Sequence, residues 1–348
     1  CKFCMEVKNN RKSYLFFSLL LLGVVVIFLI VRHQRLPKYI FNEGKAHGTY
    51  YHATYLQPQG IDLQKKLEER MHEIDLSMST FHPQSIISRI NRNDDAVRTD
   101  IYFETMFETA QKVSEQTKGA FDITVAPLVN AWGFGFGNEN RKQTPNIDSI
   151  MPFIGYKKIS LKQHRLLKTD KRIMLDASAI AKGFSSDMAA KVLEENGCKN
   201  YLVEIGGEIV CKGKNPKGEK WKIGIDKPID DSTNTVNEIQ TIVSLTDKAM
   251  ATSGNYRQYY YRNGKKFSHT IDPRTGYPVN NDVLSATVIA PSCIVADAYA
   301  TAFMVLGVDS SLLICKSLPD IDCYLIYSDK NGKNRVIFTE GFKKYLTE

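Results

Sequence analysis

Asp297 and Thr301 stand four residues apart in Ala296-Asp-Ala-Tyr-Ala-Thr301, a spacing that puts a carboxylate and a hydroxyl on one face of a helix. Three further clusters concentrate groups that are expensive to place without a purpose. Gly119-Ala-Phe-Asp-Ile-Thr-Val-Ala-Pro-Leu128 holds one carboxylate, Asp122, amid apolar residues. Asp176-Ala-Ser-Ala-Ile-Ala-Lys-Gly183 passes from an acidic residue through small ones into a helix. Ser268-His-Thr-Ile-Asp-Pro-Arg-Thr-Gly276 crowds polar side chains, the imidazole of His269 among them, into a turn. Each cluster alone also admits a structural reading. Asp122 and Asp176 can cap, Asp272-Pro273 can initiate a turn, and Thr301 can bond back to the Asp297 carbonyl.

The elements that must position these groups follow from periodicity. Ile61, Leu67, Met71, Ile74 and Met78 fall near helical spacing over Ile61–Met78, as do Phe103, Met106, Phe107 and Ala110 over Tyr102–Val113. Ser185–Asn196 closes on Gly197 and Ile294–Leu306 on Gly307, both C-cap signals. Between the helices lie strand-like runs at Tyr201–Ile205, Ile209–Lys212, Trp221–Asp226, Ile239–Leu245, Leu284–Ala290 and Cys323–Tyr327. Asn263-Gly264 joins Tyr259–Arg262 to Lys265–Thr270 as a hairpin. Hairpin-joined strands interleaved with a few helices imply an α+β architecture with mainly antiparallel or mixed sheets. Gly133-Phe-Gly-Phe-Gly137 lacks the third glycine of a dinucleotide fingerprint and reads as a loop.

The chain of 348 residues is 43% hydrophobic and 24% charged, which excludes intrinsic disorder and collagen. Its net charge of +8 is local: residues 1–38 hold seven Lys/Arg against Glu6, so the remainder is nearly neutral and the charge gives no reason to expect a nucleic-acid partner. Those charges flank Tyr14–Val31, eighteen residues without a charge, about 27 Å long as a helix and close to the bilayer core. Arg32-His33-Gln34 follows where a signal peptide would carry a small-residue cleavage site, which favours an anchor. The expected organisation is a basic tail at 1–13, a transmembrane helix at 14–31, a linker at 32–46 and one folded domain at 47–348. Seven scattered cysteines make no disulfide framework, and Cys1-x-x-Cys4 lacks the second pair of ligands a zinc site needs.

Taken together and in order, the clusters resemble the FAD:protein FMN transferase family, also called the ApbE family. The resemblance runs over roughly His47 to Thr339. It includes Met78-Ser-Thr-Phe-His-Pro-Gln-Ser85 with Ser88-Arg-Ile-Asn91, Gly119–Asp122 with Asn130-Ala-Trp-Gly-Phe-Gly135, and Asp176–Gly183. Tyr201-Leu-Val-Glu-Ile-Gly-Gly-Glu208, Ala251-Thr-Ser-Gly-Asn-Tyr-Arg257 and the turn and helix around His269 and Asp297 complete it. The resemblance implies an ApbE-like flavin transferase fold. It implies an enzyme, attached to the membrane or exported, that uses FAD and Mg2+ to transfer FMN to a Thr or Ser hydroxyl of a flavoprotein, releasing AMP.

By the same resemblance the Asp297 carboxylate, the Thr301 hydroxyl and the Ala179 main-chain carbonyl hold Mg2+, a hard cation suited to oxygen ligands. Flavin and adenine contacts map to His47, Phe81, Ala120, Phe121, Asp122, Asp176, Lys182 and Ile271, with Phe81 stacked on the isoalloxazine. His269 is the candidate for proton transfer or phosphate contact, with a turn-organising histidine as its alternative. His47 departs from the Met usual before Gly-Thr in the family, and Phe81 lacks the hydroxyl of a frequent Tyr. Lys182 stands where some members have Glu, and a cation there favours the substrate phosphates. The implied setting is the bacterial inner membrane, with the catalytic domain on the periplasmic side and the acceptor a flavoprotein subunit of a membrane redox system. The alternatives are a Mg2+-dependent FAD pyrophosphatase, giving FMN and AMP, and a non-catalytic flavin-binding module.

Overall fold

The computed structural model describes residues 14–23, 38–135, 144–228, 238–255, 259–262 and 265–347. Residues 14–23 form helix α1. The basic tail, the second part of the expected membrane span and Asn263-Gly264 lie outside the described residues. Among the described residues no helix is long and apolar enough to cross a membrane.

The body begins with the hairpin of β1 (Tyr39–Ala46) and β2 (Thr49–Leu56). Then come helices α2 (Gln64–Met78), α3 (Ile86–Asn91), α4 (Ile101–Gln116), α5 (Ala126–Ala131) and α6 (Ile147–Ile150). The small hairpin β3 (Ile159–Lys162) and β4 (Arg165–Lys168) leads into α7 (Ala181–Glu195). Strands β5 (Tyr201–Ile205), β6 (Glu208–Lys212), β7 (Trp221–Asp226), β8 (Ile239–Leu245) and β9 (Lys248–Gly254) follow. The hairpin β10 (Tyr259–Arg262) and β11 (Lys265–Ser268) precedes β12 (Val283–Ala290), α8 (Cys293–Leu306) and α9 (Val308–Ser317). β13 (Asp322–Ser328) and β14 (Asn334–Phe338) end the sheet.

Eight strands make one sheet in the order β1-β2-β5-β6-β9-β12-β13-β14, with every pairing antiparallel. Alternation sets its faces. Tyr51, Ala53 and Tyr55 of β2 and Tyr201, Val203 and Ile205 of β5 pack against Leu67 and Met71 of α2 and Ala189, Ala190 and Leu193 of α7. On the opposite face the β7–β8 hairpin places Ile223, Ile225, Val243 and Leu245 over Ile209, Met250, Ile289 and Tyr324. The α+β, mainly antiparallel architecture expected from the sequence is the one observed.

Helix α8 lies inside, against β9, β12, α4 and α7. Eleven of its fourteen residues are buried, so it carries no polar stripe, and its alanines admit close neighbours. Truncating buried Phe303 there would cost about 3–5 kcal/mol. Gly307, at φ 79°, ends the helix where the sequence placed its cap.

Two boundaries differ from expectation. Residues 39–46, expected to be linker, form β1 and pair with β2 at all eight positions. Their polar residues sit on an edge strand, and buried Asn42 is satisfied by the Tyr55 hydroxyl, which donates to its Oδ1 at 2.7 Å. Helix α7 starts at Ala181, four residues before the expected Ser185, so the Lys182-Gly183 dipeptide is helical.

Candidate functional site

All twelve residues singled out from the sequence line one cavity of about 1360 Å3. That exceeds the roughly 300–1,000 Å3 common for small-molecule sites and accommodates a dinucleotide. Six segments converge there: the β1–β2 turn, the loop after α2, the turn before α5, the start of α7, the turn after β11 and the buried face of α8.

Loop residues are held by short hydrogen bonds. Ser85 Oγ and Ser88 Oγ both donate to the Ser79 carbonyl, at 2.6 and 3.1 Å, and fix the loop that presents Phe81 at the cavity mouth, 75% exposed. Asn91 exchanges two bonds with Leu175, at 2.9 and 2.7 Å, and so fixes the irregular segment leading to Asp176. Ser85, Ser88 and Asn91 are buried behind the cavity wall and brace the segments that line it.

Ala120 and Phe121 are buried, and Asp122 is committed to its surroundings. Its Oδ1 accepts from the Thr124 N–H at 2.8 Å and hydroxyl at 2.7 Å, and its Oδ2 from Tyr156 N–H at 2.7 Å. Burial raises its pKa despite those bonds. Asp176 likewise turns inward on Ser178, accepting from its N–H at 2.8 Å and from its hydroxyl. Both carboxyls thus organise backbone at the cavity wall, which is the capping role their sequence positions also allowed.

The turn that carries His269 is anchored from below, because buried Trp132 donates its Nε1–H to the Gly276 carbonyl at 2.8 Å. Gly276 is at φ 81°, and a Cβ there would stand 2.4 Å from Ile147, so only glycine fits. Asp272 is paired by both its oxygens with Arg274, at 2.9 and 2.8 Å, as a turn organiser. His269 packs edge-on to Phe134 and reaches the cavity beside Ile271.

Asp297 sits where α7 crosses α8, and Thr301 and Ala179 line the same cavity. Asp297 is 3% exposed, and its Oδ2 accepts from Gly183 N–H at 2.9 Å, which leaves the carboxylate a second acceptor oxygen. A Cβ on Gly183 would lie 2.3 Å from the Cys293 carbonyl and 2.7 Å from Asp297 Cβ. Thr301, one turn on, is paired with Ser253 Oγ at 3.2 Å. Ala179 lines the same cavity just before α7. One carboxylate, one hydroxyl and one carbonyl form a hard donor set that fits Mg2+, and no cluster of three or more His, Cys, Asp or Glu suited to a softer metal occurs among the described residues.

Burial raises the pKa of Asp297, with the Lys182 ammonium opposing it. Lys182 Nζ lies 2.5 Å from Glu208 Oε2. Burial alone would lower the lysine's pKa, but Glu208 and Asp297 outweigh it and the lysine stays charged. Burial likewise pushes Glu208 up. A buried carboxylate that is costly to ionise is one whose charge a divalent cation would compensate.

The sequence reading missed Asp187, Glu208 and Asp75. Asp187 accepts from Cys293 N–H and Ile294 N–H, at 2.8 Å each. Its one legible signal was its place four residues after Gly183. Glu208 stood inside a quoted motif without a role, and Asp75 lay on a helix read only for its apolar face.

The family model described as ApbE family matches residues 47–325. The FAD:protein FMN transferase of Haemophilus influenzae is 36% identical over 326 residues, covering 90% of this chain and 93% of that one. That of Vibrio cholerae is 33% identical, covering 94% and 99%. The solved structure of the flavin transferase ApbE from Vibrio cholerae superposes with a TM-score of 0.79 at 34% identity, covering 89% of this chain and all of that one. With its motifs gathered around one cavity and its length shared with these relatives, the chain belongs to the ApbE family.

Proposed function

We propose that this chain is an FAD:protein FMN transferase that moves FMN from FAD to a Thr or Ser hydroxyl of an acceptor flavoprotein and releases AMP. The observation that carries the reading is the convergence of Ala179, Asp297 and Thr301 with Lys182, Phe81 and His269 in one cavity of dinucleotide size. Bound Mg2+ supplies Lewis-acid neutralisation of the phosphate oxygens. Asp297, Thr301 and the Ala179 carbonyl would hold it.

The chain's own residues do the rest. Phe81 offers an aromatic face to the isoalloxazine, and Lys182, kept charged by Glu208, attracts the pyrophosphate. His269 takes the proton of the attacking hydroxyl as the new phosphate ester bond forms, the bond to AMP breaks and AMP leaves with the pair of electrons. Residues 14–31 anchor the enzyme, and the catalytic body works outside the cytoplasm on a flavoprotein subunit of a membrane redox system.

Incubation with FAD, Mg2+ and a candidate acceptor, followed by in-gel flavin fluorescence and nucleotide analysis, tests this. Protein-bound FMN with stoichiometric AMP is the expected result. Free FMN with AMP would make the chain a pyrophosphatase, and no AMP at all would leave a flavin-binding module.

A further inference from the structure

Helix α8 carries two of the three proposed metal ligands, and its own N-terminus is not capped from within. Ser292 occupies the N-cap position with extended backbone, yet its side chain makes no capping bond. The first two helical N–H groups are instead taken by a carboxylate from another helix. Asp187 of α7 accepts from Cys293 N–H through Oδ1 and from Ile294 N–H through Oδ2. One turn earlier on α7, Gly183 N–H donates to Asp297 Oδ2.

The two contacts are rungs of one clamp, at i and i+4 on α7 and one turn apart on α8. Between them the helices are in van der Waals contact, because there is no room for a Cβ at Gly183. The clamp has one register. A slide of α8 along α7 would break both Asp187 bonds and drive the Cys293 carbonyl or Asp297 Cβ into Gly183. Ala179 lies two residues before α7, next to its N-cap Ile180, so the same register holds the Ala179 carbonyl relative to Asp297 and Thr301.

We infer that Asp187 is a positioning residue for the metal site: it locks α8 to α7 so that Asp297 and Thr301 meet the Ala179 carbonyl. The inference rests on the metal-site reading given under Proposed function. The competing role is plain helix capping, which stabilises α8 wherever it sits.

Asp187→Asn separates these. The amide keeps one acceptor oxygen but turns an N–H donor towards the second helical N–H, which removes one bond and the charge at the positive end of the helix. A second change, Ser292→Asp, provides a cap from within α8 and restores helix stability without tying α8 to α7.

The test is Mn2+ titration with saturating FAD and no acceptor, read by the electron paramagnetic resonance of free Mn2+ against an FAD-only blank. Thermal unfolding without metal is measured in parallel. We expect Asp187→Asn to weaken Mn2+ binding about tenfold or more, the order seen when a group supporting a metal ligand is lost. The double variant should regain thermal stability but not Mn2+ affinity. Equal affinity in wild type and Asp187→Asn, or affinity restored together with stability in the double variant, overturns the positioning role. Absence of Mn2+ binding by wild type overturns the metal-site reading itself, and this inference with it.

Discussion

Nε2 of His47 lies 2.6 Å from Oγ of Ser185, 138 residues away, while its Nδ1 lies 2.8 Å from Asp75 Oδ1. His47 stands at φ 50° in the tight turn between β1 and β2, and its ring ties that hairpin to α2 and α7 at the edge of the cavity. With both nitrogens engaged, it can meet a flavin or adenine through the ring face. We therefore expect His47→Met to keep FAD affinity within about threefold while lowering thermal stability. The loss should be about 1–3 kcal/mol, because the Ser185 hydroxyl and Asp75 carboxylate lose their partner. A large fall in FAD affinity at unchanged stability would show that the ring nitrogens serve the ligand instead.

Phe81 is 75% exposed, so Phe81→Ala opens no core cavity and should leave the melting temperature in place. Its loss should be felt in FAD binding alone. Stacking is worth roughly 0.5–1.5 kcal/mol beyond burial, which corresponds to about a two- to tenfold weaker dissociation constant. Fluorescence titration with FAD measures this, and an unchanged constant removes Phe81 from the flavin site.

Much of this site was legible in the sequence because its chemistry is local. The i, i+4 spacing of Asp297 and Thr301 and the glycine after Leu306 specified α8 to within one residue. What was not legible depends on contacts between distant segments. Nothing near Gly183 announces that Cys293 will lie against it, so Lys182-Gly183 read as the approach to a helix rather than its first turn. Edge strand β1 reads as linker because Asn42, Glu43 and Lys45 break its apolar run, and a buried Asn42 is explained only by partners outside the strand: the Tyr55 hydroxyl donates to its Oδ1, and its Nδ2 donates to Asp62 Oδ1 at 3.1 Å.

That edge strand decides where a truncation folds. A chain beginning at Pro37 retains β1 and should be soluble, monodisperse and able to bind FAD, whereas one beginning at His47 loses all eight pairs with β2 and strips Asn42 from Tyr55. The His47 truncation should melt lower and aggregate through the bared β2 edge. If residues 14–31 anchor the chain as proposed, the full chain should stay with membranes through a high-salt wash, since screening does not weaken apolar burial. Recovery of the full chain in the wash would rule out the anchor.

Asp187 gives a pH signature. Burial pushes its pKa up to about 6 from 3.8, in spite of the two N–H donors. The folded state then binds more protons than the unfolded state between about pH 4 and 6, so this group's contribution to stability falls as pH rises. Asn does not titrate. In metal-free buffer, the stability of wild type relative to Asp187→Asn should increase from pH 7 to pH 4, by up to about 3 kcal/mol. A flat difference across that range would mean the carboxyl is not desolvated as its surroundings indicate.

Asp297→Asn should pull stability and function in opposite directions. The amide oxygen can still accept from Gly183 N–H, and the substitution removes a buried carboxylate whose ionisation burial opposes. Without metal, the variant should melt at or above the wild-type temperature and bind FAD normally. Mg2+-dependent FMN transfer should nonetheless be lost, and raising Mg2+ should not restore it, because a hard cation needs the charge more than the amide dipole. Thr301→Val removes a neutral donor that water can replace, so its activity should recover in part at high Mg2+. A buried acid kept only for helix structure would tolerate Asn with full turnover at limiting Mg2+, and that outcome would remove Asp297 from the metal site.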